Sequence, residues 1–311
     1  MTLRGILATL LQENGVPPDG LAAGAEHAQE WGRETMLHHV TDSRVLEFGA
    51  KEIDLAPLGV PPLHVGPLTI DLSVTKHVVF LGIAALLTVL TMWLAARQAQ
   101  RLEQGERAPR GLLNAVEALY LYLRDEVAMA NIGHGGERFV PYVITLFFFI
   151  MYANLLGLVP FGSTATSNIM VTGALAVISL FAVETAGFVS LGPRGYLRTI
   201  FYVPPGLNPV MGAVMLVIMT PVELIGKLAK PFALAVRLFA NMTAGHLVLL
   251  SFLGLIITYG SFRAAVGLTA IVGPILLGLF VMLMEIFIAL LQAYIFTILT
   301  AVFIGLVRHA H

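Results

Sequence analysis

The chain is a succession of long apolar runs separated by short polar links. Val78 to Ala96 is the first run, about 19 residues, and at about 1.5 Å per residue it matches a hydrocarbon core of about 30 Å. Phe139 to Phe161 and Asn168 to Leu191 are the second and third. From about Asn208 to Thr258 the sequence stays apolar for roughly 50 residues, or about 75 Å as helix, far more than one perpendicular crossing. Ala264 to Val307 is similar, 44 residues with Glu285 as the one charge. Each of these two runs fits either two spans with a buried turn or one long tilted helix. Only Gly and Pro interrupt them, and membrane helices tolerate both, so the pattern favours two long, steeply tilted helices turned as a hairpin near Tyr259–Arg263. A tilt of that size needs a partner surface. Leu112 to Ala130 has apolar residues at helical spacing with Glu117, Arg124, Asp125 and Glu126 between them, which predicts an amphipathic helix lying on the cytoplasmic surface of the membrane rather than spanning it, an ordinary connecting helix being the alternative. The expectation is an all-α polytopic membrane protein with about five membrane helices in residues 78–311. Residues 1–77, rich in proline and polar positions, read as an extramembrane arm with a short helix or two.

Composition narrows the class. The chain is 57% hydrophobic and 12% charged, against about 25% charged in an ordinary soluble domain. Its net charge of −1 points to no nucleic acid. Without cysteine it has no disulfide, iron–sulfur ligand or catalytic thiol. The start, Met1 to Gly15, is a poor match to a signal or transit peptide, which predicts that these residues are retained. Arg97, Arg101, Arg107 and Arg110 follow the first run, and Arg194 and Arg198 follow the third. By the positive-inside rule both clusters are cytoplasmic, and the N-terminal arm lies outside.

The candidate chemistry is a small set of polar residues inside apolar runs. Arg237 cannot be neutralised by losing its proton, and a charge at membrane depth marks an ion pathway. Glu223, Lys230 and Arg237 recur every seven residues, so they share a face within about 40°. Lys227 lies four residues after Glu223 and could pair with it. Asn241 is one turn beyond Arg237, whereas His246 is about 180° round and about 13 Å along. Glu285 and Gln292 share a face of the second long helix. In a hairpin turned near Gly260 the levels of His246 and Glu285 do not match closely, yet both are proton-relay residue types. Asn154 in the second run fits either a helix–helix hydrogen bond or a polar pathway. Glu184 in the third has no nearby basic residue in sequence. The adjacent His38 and His39 do not share a helix face and read as a solvated pair.

The stretches Arg237–Leu247 (RLFANMTAGHL) and Glu285–Thr300 (EIFIALLQAYIFTILT) resemble subunit a of the rotary F-type ATP synthase, bacterial type, over roughly residues 75–308. The resemblance implies a proton-channel stator in a bacterial plasma membrane, with an outside N-terminus and a cytoplasmic C-terminus. It implies no cofactor and no catalysis by the isolated chain. Its partners would be a ring of c subunits, the peripheral-stalk b subunits, the remaining complex, the lipid bilayer and translocated H⁺. Arg237 would face the ring's carboxylates. Protons would enter past Asn154, Asn241, His246, Glu285 and Gln292, with Glu184 near that path, and leave along Glu223 and Lys230. Many bacterial members have Glu nine residues after the arginine and His at the later position. Here His246 and Glu285 are reversed, which predicts that the two act as a pair. An independent secondary transporter is the alternative, but it would show inverted repeats. An intramembrane hydrolase would need a nucleophile–base pair or clustered metal ligands.

Overall fold

The computed structural model describes residues 45–48, 51–55, 63–65, 68–70, 73–103, 112–159, 164–201, 208–259 and 264–308. The N-terminal start, His38, His39, Arg107, Arg110, the prolines at 204 and 205, and the proposed turn at 260–263 lie outside them.

The short helices expected of the arm fall largely on residues outside the described ones, 1–44 among them. Its described parts are two short antiparallel hairpins. In the first, β1 (Val45–Phe48) pairs with β2 (Lys51–Asp54), with Val45 opposite Asp54. In the second, β3 (Leu63–Val65) pairs with β4 (Leu68–Ile70), with Leu63 opposite Ile70. A glycine opens each two-residue link in the sequence (Gly49-Ala50 and Gly66-Pro67), a hairpin signal that the proline content masked. Leu55, just after β2, is buried against Phe80 and so ties the arm to the first membrane helix.

From Lys76 on, every regular element among the described residues is a helix. Among the described residues, five helices are long and apolar enough to cross a bilayer. They fall in α1 (Lys76–Glu103), α4 (Val140–Leu158), α5 (Ile169–Ile200), α6 (Pro209–Tyr259) and α7 (Ala264–Arg308). Between α1 and α4 lies the amphipathic segment. It begins as α2 (Leu112–Tyr122), widens into π-helix at Leu123–Met129, and closes with one α turn, α3 (Ala130–Ile132). Its apolar stripe, Leu123, Val127 and Ile132, is buried in the same cluster as Val140 and Ile144 of α4 and Ile304 of α7.

α4 is the centre of the bundle. More than half of its apolar window is buried, against 6% for α6. Proline in its first turn costs no hydrogen bond, because that N–H would be unpaired anyway. Phe148 and Ile150 of α4 pack with Leu234 and Leu238 of α6 and Phe296 of α7. α6 therefore attaches along a narrow seam and leaves most of its apolar surface outward.

α5 departs from its expected end at Leu191. Asn168 caps its start, accepting from the Met170 amide at 2.9 Å. The helix kinks at Gly192, whose φ of 69° is open to glycine without steric cost, and Pro193 follows. Helix then resumes to Ile200, so Arg194 and Arg198 sit on helix where a loop was expected. The second piece folds back on the first. Tyr196 stacks edge-on to Phe188 with ring centroids 6.1 Å apart.

Candidate functional site

Two polar groups lie along the long helices, and they are distinct. The first joins α4, the segment before α5, α6 and α7. Glu285 and Gln292 are 3% and 2% exposed, and Asn154 is fully buried, so none is a surface residue that chance left polar. Glu285 Oε1 lies 3.9 Å from His246 Nδ1. Asn241 donates to Gln292 Oε1 at 3.1 Å. Both contacts fit antiparallel helices whose midpoint falls near position 266, past the hairpin link. That shift reconciles the levels of His246 and Glu285, which a turn at Gly260 left apart. Close approach depends on Gly245. A Cβ there would stand 2.5 Å from Glu285 Oε1 and 2.8 Å from its carboxyl carbon.

Asn154 connects this group to the bundle centre. Its amide donates to the Ala289 carbonyl at 3.2 Å, and its Oδ1 accepts from Thr166 at 2.8 Å. Thr164 Oγ1 contacts His246 Nε2. Thr164 and Thr166 escaped the sequence reading, which treated Gly162–Asn168 as a plain link. The signal was there, since five of those seven residues carry a hydroxyl or amide side chain.

The second group lies between α5, α6 and α7. A cavity of about 40 Å³ is lined by Glu184, Glu223, Lys227, Lys230 and Thr300, among others. That is room for water. Glu184 thus differs from its expected grouping with the outside residues. It is fifteen residues into α5, about 22 Å from the Thr164–Asn168 end, and it lines the same cavity as Glu223 and Lys230. Its partners come from tertiary structure. Lys227 Nζ donates to Glu184 Oε2 at 3.2 Å, and the Tyr196 hydroxyl donates to the same oxygen. Lys227 also lies 4.6 Å from the centre of the Tyr196 ring. The pairing of Lys227 with Glu223, four residues earlier, is therefore replaced by one with Glu184. Lys230 stands over Phe303 of α7 at 5.1 Å.

Arg237 belongs to neither group. It is exposed, although its helix neighbours Leu234, Ala235 and Leu238 are buried. Among the described residues it forms no ion pair with this chain. Around it on the same face of α6, Ala233, Ala240 and Ala244 are exposed, so the surface beside the guanidinium is small and apolar. A permanent cation on an apolar face asks for an anion from outside the chain.

Five membrane-length helices carrying two separate polar groups, with the exposed Arg237 belonging to neither, define a polytopic membrane protein for moving ions. A family profile described as ATP synthase A chain matches residues 78–305. The ATP synthase subunit a of Chloroherpeton thalassium is 42% identical over 273 residues, covering 87% of this chain and 75% of that protein. The ATP synthase subunit a of Anaeromyxobacter dehalogenans is 40% identical over 319 residues, covering 96% and 79%. A protein of Chlorobaculum tepidum named ATP synthase subunit a 2 is 38% identical over 289 residues, covering 93% and 76%. The chain belongs to the ATP synthase A chain family, and with it to the membrane machinery of ion transport and ATP synthesis.

Proposed function

We propose that this chain is the proton-conducting stator of the Fo sector, offering two offset half-channels to carboxylates on a ring of c subunits. The observation that carries the reading is the exposed, uncompensated Arg237 between two separate polar groups. A carboxylate passing beside a fixed guanidinium is held ionised, because opposite charge favours the charged form. It must give up its proton before reaching Arg237 from one side, and it can be reprotonated only after leaving on the other. The arginine also bars a proton from hopping straight between the half-channels.

Protons enter from the outside through Asn154, Asn241, His246, Glu285 and Gln292, with the hydroxyls of Thr164 and Thr166 at the start. His246 and Glu285 together supply one imidazole and one acid within reach of each other, the two groups that exchange protons most readily in a protein. Protons leave to the cytoplasm through the cavity lined by Glu223 and Lys230, and Glu184 is reassigned to that side. Each proton crossing supplies about 2.3 kcal/mol per 100 mV of potential, and rotation of the ring couples that energy to ATP synthesis elsewhere in the complex.

The length of α6 supports a ring partner. Its 51 residues span about 77 Å, so it crosses a bilayer only when steeply tilted, and the apolar face left outward needs cover. The arginines at and beyond the end of α1 and in the last turns of α5 favour a cytoplasmic side there, hence an outside N-terminus and a cytoplasmic C-terminus, and the bacterial relatives favour a bacterial plasma membrane. The peripheral-stalk b subunits complete the stator. The test is Arg237→Ala in inverted membrane vesicles holding the whole complex. ATP-driven proton pumping should vanish, and retained pumping would overturn the reading.

A further inference from the structure

We infer that Glu184 and Tyr196 form a positioning site whose task is to hold Lys227 away from Glu223. The inference rests on the reading above that Glu223 lines the cytoplasmic exit. On an isolated helix, Glu223 and Lys227 are an (i, i+4) Glu–Lys pair in the favourable order. An ammonium locked onto Glu223 would keep that carboxylate ionised and unable to receive a proton from the ring. Here no ion pair to Glu223 forms among the described residues. Lys227 instead donates to Glu184 Oε2 at 3.2 Å and to the Tyr196 hydroxyl at 3.3 Å, and it rests against the Tyr196 ring.

The chain has built this arrangement from distant parts. Glu184 is on the first piece of α5. Tyr196 is twelve residues later and would be about 18 Å away on a straight helix. The kink at Gly192 returns it to the same carboxylate oxygen. Lys227 thus receives a carboxylate, a hydroxyl and a π face from α5, and its side chain is only 11% exposed. The charged groups facing the cavity are Glu184 from α5 and Glu223, Lys227 and Lys230 from α6; α7 lines it with Thr300 and apolar side chains. With Lys227 occupied, the cation left on the cavity wall is Lys230, seven residues from Glu223 and directed at Phe303. Glu223, which is exposed, stays available as a proton acceptor.

The experiment compares four variants in inverted vesicles holding the complete synthase, with the amount of this chain in the purified complex measured alongside. Glu184→Gln frees Lys227 to turn to Glu223, and ATP-driven pumping per assembled complex should fall about fivefold, the upper end for a partly exposed ion pair. Glu184→Asp keeps the charge and should retain most pumping. Lys227→Gln removes the interfering cation and should stay within about twofold of the unaltered complex. Adding Lys227→Gln to Glu184→Gln should then restore the lost pumping. A brace between α5 and α6 gives a different pattern, since cutting it from either end does equal harm. Equal losses for Glu184→Gln and Lys227→Gln, or a double variant no better than Glu184→Gln, would overturn the inference. Glu223→Gln separates this from failure of the exit reading itself. If Glu223→Gln pumps normally, the exit reading falls, and the positioning role falls with it.

Discussion

His246 and Glu285 face each other across the two longest helices, with His246 Nδ1 3.9 Å from Glu285 Oε1. One is the ninth residue after Arg237, and the other sits beyond the hairpin link. The carboxylate is buried, and neither of its oxygens takes a hydrogen bond among the described residues. A buried carboxyl group in that state is costly unless it exchanges protons or meets a cation. The imidazole is the nearest group able to do both.

This contact predicts compensation. His246→Glu alone places two acids together, and Glu285→His alone places two imidazoles together. Each should cut ATP-driven pumping about tenfold, the effect of about 1.4 kcal/mol. The double exchange should recover much of the loss. Pumping assays on the three variants in vesicles decide it, and a double variant no better than the singles ends the pairing argument.

Arg237→Lys should fail nearly as badly as Arg237→Ala, although charge is kept. A guanidinium holds its charge and its planar set of donors on an apolar face, whereas an ammonium is a flexible point charge that loses its proton when desolvated. Passive proton conductance and ATP-driven pumping, measured together, distinguish a leak from a block. Normal pumping by the lysine variant would mean that any cation suffices.

Gly245→Ala should impair pumping without unfolding the chain. The new Cβ would fall 2.5 Å from Glu285 Oε1, so the carboxylate must turn from its place beside His246. Gly173→Ala in α5 is the control. Nothing lies within 4 Å of the Cβ it adds, and alanine favours helix over glycine by about 1 kcal/mol. The control should assemble and pump normally. Equal behaviour of the two variants would remove the steric argument.

Asn154→Ala leaves the Thr166 hydroxyl and the Ala289 carbonyl without their partner in a fully buried place. A loss of about 1–3 kcal/mol follows, read as a lower melting temperature of the purified complex. Asn154→Gln keeps the amide but not its reach and should fall between. No change in melting temperature for the alanine variant would show that the network does not hold α4, α7 and the Thr164–Ser167 segment together.

The five apolar spans, the amphipathic segment, the two long helices and the lone Arg237 were legible in the amino-acid pattern. A run of side chains too apolar for water and too long for a core settles its own environment, and seven-residue spacing settles which residues share a helix face. Even the α6 face bearing Glu223, Lys230 and Arg237 follows from 3.6 residues per turn. The partners of Glu184 did not follow. Tyr196 reaches it only because Gly192 reverses the helix, and Lys227 reaches it only because α6 packs on α5. The alignment of His246 with Glu285 also waited on the fold, since the offset of two antiparallel helices depends on how their side chains interlock along the whole seam. The Thr164 and Thr166 contacts likewise come from a short segment folded against three helices. Periodicity therefore determined each helix and its faces, and packing between helices decided which of those faces met and which charges were paired.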